Sequence, residues 1–169
     1  MWKHIKPEEL TNNPFEMIGK DWMLVTAGNK EQCNTMTASW GGLGIMWGKQ
    51  VAFVFVRPQR YTKEFIDKEE CFTLTFFSKE YKKELGYLGK VSGRDENKIE
   101  KANLTVAYEN EVPYFEEANI VLVCKKLYQQ YLEEQCFIGT ENVEKWYPDK
   151  DFHMMYVVEI EDVLIKTNS

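Results

Sequence analysis

Hydrophobic and polar positions along this chain alternate in short blocks, and most of the blocks repeat with the period of a strand. Trp22 to Ala27 (WMLVTA) reads as one strand, ended by the turn signal Gly28-Asn29. Cys33 to Ser39 returns antiparallel to it, and Gln50 to Val56 (QVAFVFV) is a strongly apolar strand. Arg57-Pro58 stops that strand, because proline has no N–H for the ladder. Cys71 to Phe77 (CFTLTFF) alternates β-branched with aromatic residues and forms another. Further strands are expected at Leu104 to Tyr108, Ala118 to Gln130 and Phe152 to Ile165, the last two long enough to curl round a barrel.

Helical spacing interrupts this pattern in three places. Asn13-Pro14 caps a short helix that carries Phe15, Met17 and Ile18. Tyr61 to Glu69 sets Tyr61, Phe65 and Ile66 on one side. Ser78 is a good N-cap for a helix with the stripe Tyr81, Leu85 and Leu88, ending near Gly89. The total is about seven strands with three or four short helices inserted. Strand follows strand too often for a doubly wound parallel sheet, and no G-x-G-x-x-G opens a helix. The fold expected from pattern is therefore mainly β, an antiparallel barrel with helical insertions. No repeat or linker divides it, so residues 1–169 are read as one domain.

Composition narrows the partners. A length of 169 residues allows roughly two thirds of the unfolded surface to be buried. A net charge of -6 argues against a nucleic-acid partner, which needs a basic face. Cys33, Cys71, Cys124 and Cys136 form no C-x-x-C pair, and only His4 and His153 could join them, so no metal centre is expected. The longest apolar run is far short of a membrane span, and no charged-then-apolar leader opens the sequence. Scattered thiols then point to a reducing cytoplasm and to small buried hydrophobes.

Three segments carry candidate chemistry. Asn34 to Gly44 (NTMTASWGGLG) surrounds one large aromatic with small, hydroxyl-bearing and glycine residues. Such a run lets a planar ligand approach the backbone N–H groups, or it is a glycine-rich turn with Trp40 packed in the core. Arg57, Arg60, Thr62 and Lys63 cluster where the Tyr61–Glu69 helix begins. Fixed cations, a hydroxyl and helix N-terminal amides suit a phosphate, while the alternative is a solvated turn paired with glutamates. Lys90 to Lys98 (KVSGRDENK) is either a helix start with Asp95 as N-cap or a loop that closes over a ligand, Lys98 reaching an acceptor. His153 opens the last strand with no nucleophilic triad around it, and a lone histidine is more often structural than catalytic.

Taken in order, these segments resemble the flavin reductase-like family of FMN-binding split barrels, nearest its flavoredoxin-type branch. The matching pieces are NTMTASWGGLG at 34–44, VRPQRYTK at 56–63, FFS at 76–78, SGRDENK at 92–98 and HMMYVVEIEDV at 153–163. The resemblance implies that Asn34 and the loop Thr37, Ala38, Ser39 and Trp40 contact the isoalloxazine and ribityl groups. It implies that Arg57, Arg60, Thr62 and Lys63 hold the phosphate, that Phe77 and Ser78 border the flavin, and that Asp95 and Lys98 reach it from the following loop. Lys98 beside the N1–C2=O edge would favour the anionic reduced ring. A homodimer with the flavin near its interface is also implied, with His153 near the active site.

The activity implied is an NAD(P)H-dependent flavin reductase that passes a hydride to FMN N5 and electrons onward to free flavin, iron or a partner. The alternative is a flavoredoxin-type electron carrier with protein redox partners and little NAD(P)H turnover. The absence of a dinucleotide fingerprint suits a family that binds the nicotinamide only briefly over the flavin.

Overall fold

The structure, a computed structural model, describes residues 1–167. In chain order the elements are β1 (Trp2–Ile5), α1 (Pro14–Gly19), β2 (Met23–Gly28), β3 (Cys33–Ala38), β4 (Gly41–Met46) and β5 (Lys49–Val56). They continue with α2 (Tyr61–Lys68), β6 (Cys71–Phe76), α3 (Lys82–Lys90), α4 (Lys98–Lys101), β7 (Val106–Glu109) and β8 (Val112–Phe115). Last come β9 (Ile120–Tyr131), α5 (Glu141–Trp146) and β10 (Met154–Lys166).

The main sheet is antiparallel and runs β3-β2-β6-β9-β10-β5-β4, with β1 added on the far half of β10. Its two edge strands, β3 and β4, are consecutive in the chain and joined only by Ser39 and Trp40. That link spans at most about 10 Å, whereas seven strands laid flat would be about 29 Å wide. The sheet must therefore roll up until its edges meet. The ladder path ends at both edges, so the seam stays open and the barrel is split.

Alternation along each strand sorts side chains to the two faces of the rolled sheet. Met23, Val25, Ala27, Phe72, Leu74, Leu122 and Tyr156 fill the barrel interior. Leu24, Val121, Val123 and Leu164 point outward, beneath α3 and the β7–β8 hairpin, where Leu85, Leu88, Tyr114 and Phe115 cover them. In β10 the inward set is Met154, Tyr156, Val158 and Ile160 but then Val163, a change of parity. A register shift between Ile160 and Asp162 explains the change, since one extra residue turns every later side chain over.

Mainly antiparallel β architecture with helical insertions is what the pattern predicts, but the described residues form ten strands, not about seven. β1 is four residues of mixed polarity, visible only through its pairing with β10. β4 reads as a glycine-rich turn in sequence because Gly41, Gly42 and Gly44 lack strand propensity, yet β5 supplies its partners. β8 hides behind Asn110 and Glu111, both in the left-handed region, which turn the chain back onto β7. Two caps also differ: Asn97, not Asp95, caps α4, and the Ser78 hydroxyl donates to Glu80 Oε1 at 2.8 Å instead of capping a helix. Among the described residues no helix is long and apolar enough to cross a membrane.

Candidate functional site

The site is built where β5 gives way to α2. The Arg57–Arg60 turn closes with Arg60 N–H donating to Arg57 O at 3.1 Å, and α2 then starts at Tyr61. A cavity of about 270 Å³ opens at this helix start. Arg57, Arg60, Lys90, Arg94 and Lys98 line it together with the hydroxyl-bearing Thr62 and Ser92. Among the described residues no carboxylate lines it, in a chain whose net charge is -6. Burial, with Arg57 nearby, shifts Arg60 down from its ordinary range. Like charges gathered this closely raise the potential for an anion, and the first amides of α2 add to it.

Asn34 on β3 forms the floor. Its Nδ2 donates to Thr62 Oγ1 at 2.9 Å, and both side chains are buried. A Cβ at Gly93 would stand 2.2 Å from Asn34 Oδ1, so the loop can press on Asn34 only because residue 93 is glycine. Arg94 completes the rim: it lies over the Tyr61 ring at 4.6 Å and pairs with Glu64 at 3.2 Å.

A second cavity of about 190 Å³ lies alongside, sharing Met36, Arg57 and Arg60 with the first. Thr37, Ala38 and Ser39 form one side of it, and Trp40, Phe55, Trp146 and His153 make it aromatic. Trp40 is 39% exposed and meets Trp146 edge-on at 4.9 Å, so it walls a cleft and is not core packing. His153 is buried, its Nδ1 2.6 Å from Tyr147 Oη and its ring 5.2 Å from Trp40. Burial and the neighbouring Arg57 push the imidazole down to about 4, so it is neutral at pH 7. A cleft with a cationic end and a flat aromatic end is shaped for a molecule bearing an anion at one end and a planar ring at the other.

Asn34, Thr37, Ala38, Ser39, Trp40, Arg57, Arg60, Thr62, Lys98 and His153 all line one or both lobes. Four other expected residues do not. Lys63 turns away along α2 to pair with Asp67 at 2.6 Å, since successive helix residues point about 100° apart. Phe77 is buried in the outer cluster against Tyr81 and Phe115, and Ser78 is turned to Glu80. Asp95 is exposed, its N–H donating to Ser92 O. Several of the lining residues have duties of their own, among them Arg60, whose guanidinium donates to Gly89 O at 2.8 Å. Lys98 Nζ donates to Leu88 O and Val91 O, both at 2.9 Å, and so caps α3. Arg57 is committed to the chain between β9 and β10, through Asp151 Oδ2 at 2.9 Å and Trp146 O at 2.9 Å. The sequence reading missed Phe55 and Trp146 as cleft walls; only the barrel brings Trp146 to Trp40.

The sequence model of the flavin reductase like domain matches residues 17–169. An FMN-binding domain of a flavin reductases-like enzyme from Shewanella baltica superposes with a TM-score of 0.69 at 15% identity, covering 98% of this chain and 77% of that one. Flavoredoxin of Desulfovibrio vulgaris gives 0.68 at 22% identity, covering 96% and 76%. Nitrilotriacetate monooxygenase component B from Bacillus cereus gives 0.65 at 20%, covering 94% and 79%. At such identities what is shared is the fold. No curated protein matches the chain.

Proposed function

The chain belongs to the flavin reductase-like family, and on that premise we propose that it binds FMN in the two-lobed cleft and acts as a flavin oxidoreductase with NAD(P)H as transient electron donor. The observation that carries this reading is the polarity of the cleft, a carboxylate-free cationic lobe that shares Met36, Arg57 and Arg60 with an aromatic one. The donor set fits FMN: Arg60, Thr62, Ser92 and Arg94 would hold the phosphate, with the α2 amides behind them. Asn34, fixed by Thr62 and Gly93, would orient the neck between the lobes. When bound, FMN supplies the hydride and single-electron chemistry. The chain's own part is to exclude water with Trp40, Phe55 and Trp146, and to present a neutral His153 that adds no charge to the ring lobe. Four free cysteines among the described residues support the cytoplasm as its compartment. A second copy of the chain is the proposed partner, forming a homodimer.

Purified protein should carry a flavin that is released as FMN on denaturation. Arg60→Ala should weaken FMN binding about ten- to a hundredfold and riboflavin binding far less. Stopped-flow mixing of the loaded protein with NADH or NADPH should bleach the flavin bands. Bleaching only by a reduced donor protein would assign the flavoredoxin-type role instead. Failure to bind FMN at micromolar concentration would overturn the reading.

A further inference from the structure

Lys98 is 3% exposed and sits at the C-terminal end of α3, inside a lobe whose other charged members are all cations. Its nitrogen has two acceptors, Leu88 O and Val91 O. A neutral amine has two N–H bonds and an ammonium has three, so these two carbonyls satisfy the neutral form in full and the charged form only in part. The third proton has no acceptor among the described residues. Facing Lys98 are Arg60 and Tyr61 from the start of α2, Lys90 from the end of α3, and Arg94 from its own loop. On its other side a groove of about 620 Å³ carries Glu31 and Cys33 before and on β3, and Glu96 and Glu100 around α4. Glu96 pairs with Lys101, and Glu100 accepts from Asn97 at 2.8 Å, so neither carboxylate is turned to the Lys98 nitrogen.

We infer that Lys98 is a proton-coupled member of the anion site: at alkaline pH a phosphate monoester entering the lobe draws a proton from solvent onto the Lys98 nitrogen. No other bond forms or breaks. The inference rests on the flavin reading only for the identity of the ligand. Burial, with Arg60 beside it, holds Lys98 down to about 8 without a ligand. A dianion in the lobe supplies the missing acceptor and cancels the repulsion from Arg60, so the charged form is favoured. Lys98 lines the cationic lobe and not the aromatic one.

The test is the dissociation constant of FMN between about pH 7 and about pH 9, a range in which its phosphate, with a second pKa of about 6, is already a dianion. Linkage predicts about tenfold weaker FMN binding at the upper end, and no slope for riboflavin. Calorimetry at the upper pH in two buffers of different ionisation heat should show uptake of close to one proton. Lys98→Arg should abolish the slope whatever its affinity, since a guanidinium stays charged. Lys98→Met should abolish the slope with lower affinity. A flat wild-type profile, an equal slope for riboflavin, or a slope that survives Lys98→Arg would overturn the inference while leaving FMN binding intact. No FMN binding at any pH would overturn the flavin reading itself.

Discussion

Between pH 7 and pH 4 His153 is a residue whose protonation bears on the stability of this fold. Its imidazole is buried beside Arg57 and stays neutral down to about 4, whereas in the unfolded chain it protonates near 6.5. The unfolded state thus binds the extra proton throughout that interval. The stability contribution is full above about pH 6.5 and is lost as pH falls through about 4, roughly 3 kcal/mol in all. Urea melts at pH 7, 5 and 4 should show that loss, and His153→Gln should flatten it. Equal pH dependence in the variant would refute the assignment. Residue type made Arg60 and Thr62 legible as phosphate chemistry, because a guanidinium and a hydroxyl are donors wherever they point. Direction was not legible: Lys63 follows Thr62 directly, but the helix turns it to Asp67.

At the scale of elements, sites come from the ends of strands and helices held together by close approaches. The Ser92–Lys98 loop illustrates this. It reaches Asn34 because Gly93 has no Cβ to meet Asn34 Oδ1. Gly93→Ala should push Asn34 off Thr62 Oγ1, weaken FMN binding about tenfold and lower stability by about 1–2 kcal/mol. Fluorescence titration with denaturant melts reads both, and an unchanged affinity would show that Asn34 does not orient the ligand. A glycine between serine and arginine looks like an ordinary turn in sequence; its role depends on a strand 59 positions earlier. The same holds for α5. No apolar stripe announces it, and its Trp146 reaches the cleft because Arg57 holds the Trp146 carbonyl together with the carbonyl and carboxylate of Asp151.

For the whole molecule, the open seam at Ser39–Trp40 leaves apolar groups uncovered around one side of the barrel. Phe15 is 87% exposed, Ile45 69% and Trp47 56%. Trp47 also pays a backbone penalty, since it occupies the β4–β5 turn at φ 53 before Gly48 at φ 69. A two-residue turn of this kind favours Asn-Gly, and a bulky aromatic in its first position is unfavourable. Its only aromatic neighbour among the described residues is Tyr128 at 6.2 Å, itself half exposed. Strain of this sort persists where a function holds it. In the proposed homodimer Trp47 would be an anchor on the second copy. Light scattering should then report twice the 20.0 kDa of one chain. Trp47→Asn should relax the turn and at the same time drive the mass toward that of a single chain at micromolar concentration. These opposite effects separate an interface role from a folding role: a stabilised variant that keeps the doubled mass would place the dimer elsewhere, and a destabilised one would make Trp47 part of the barrel's own packing.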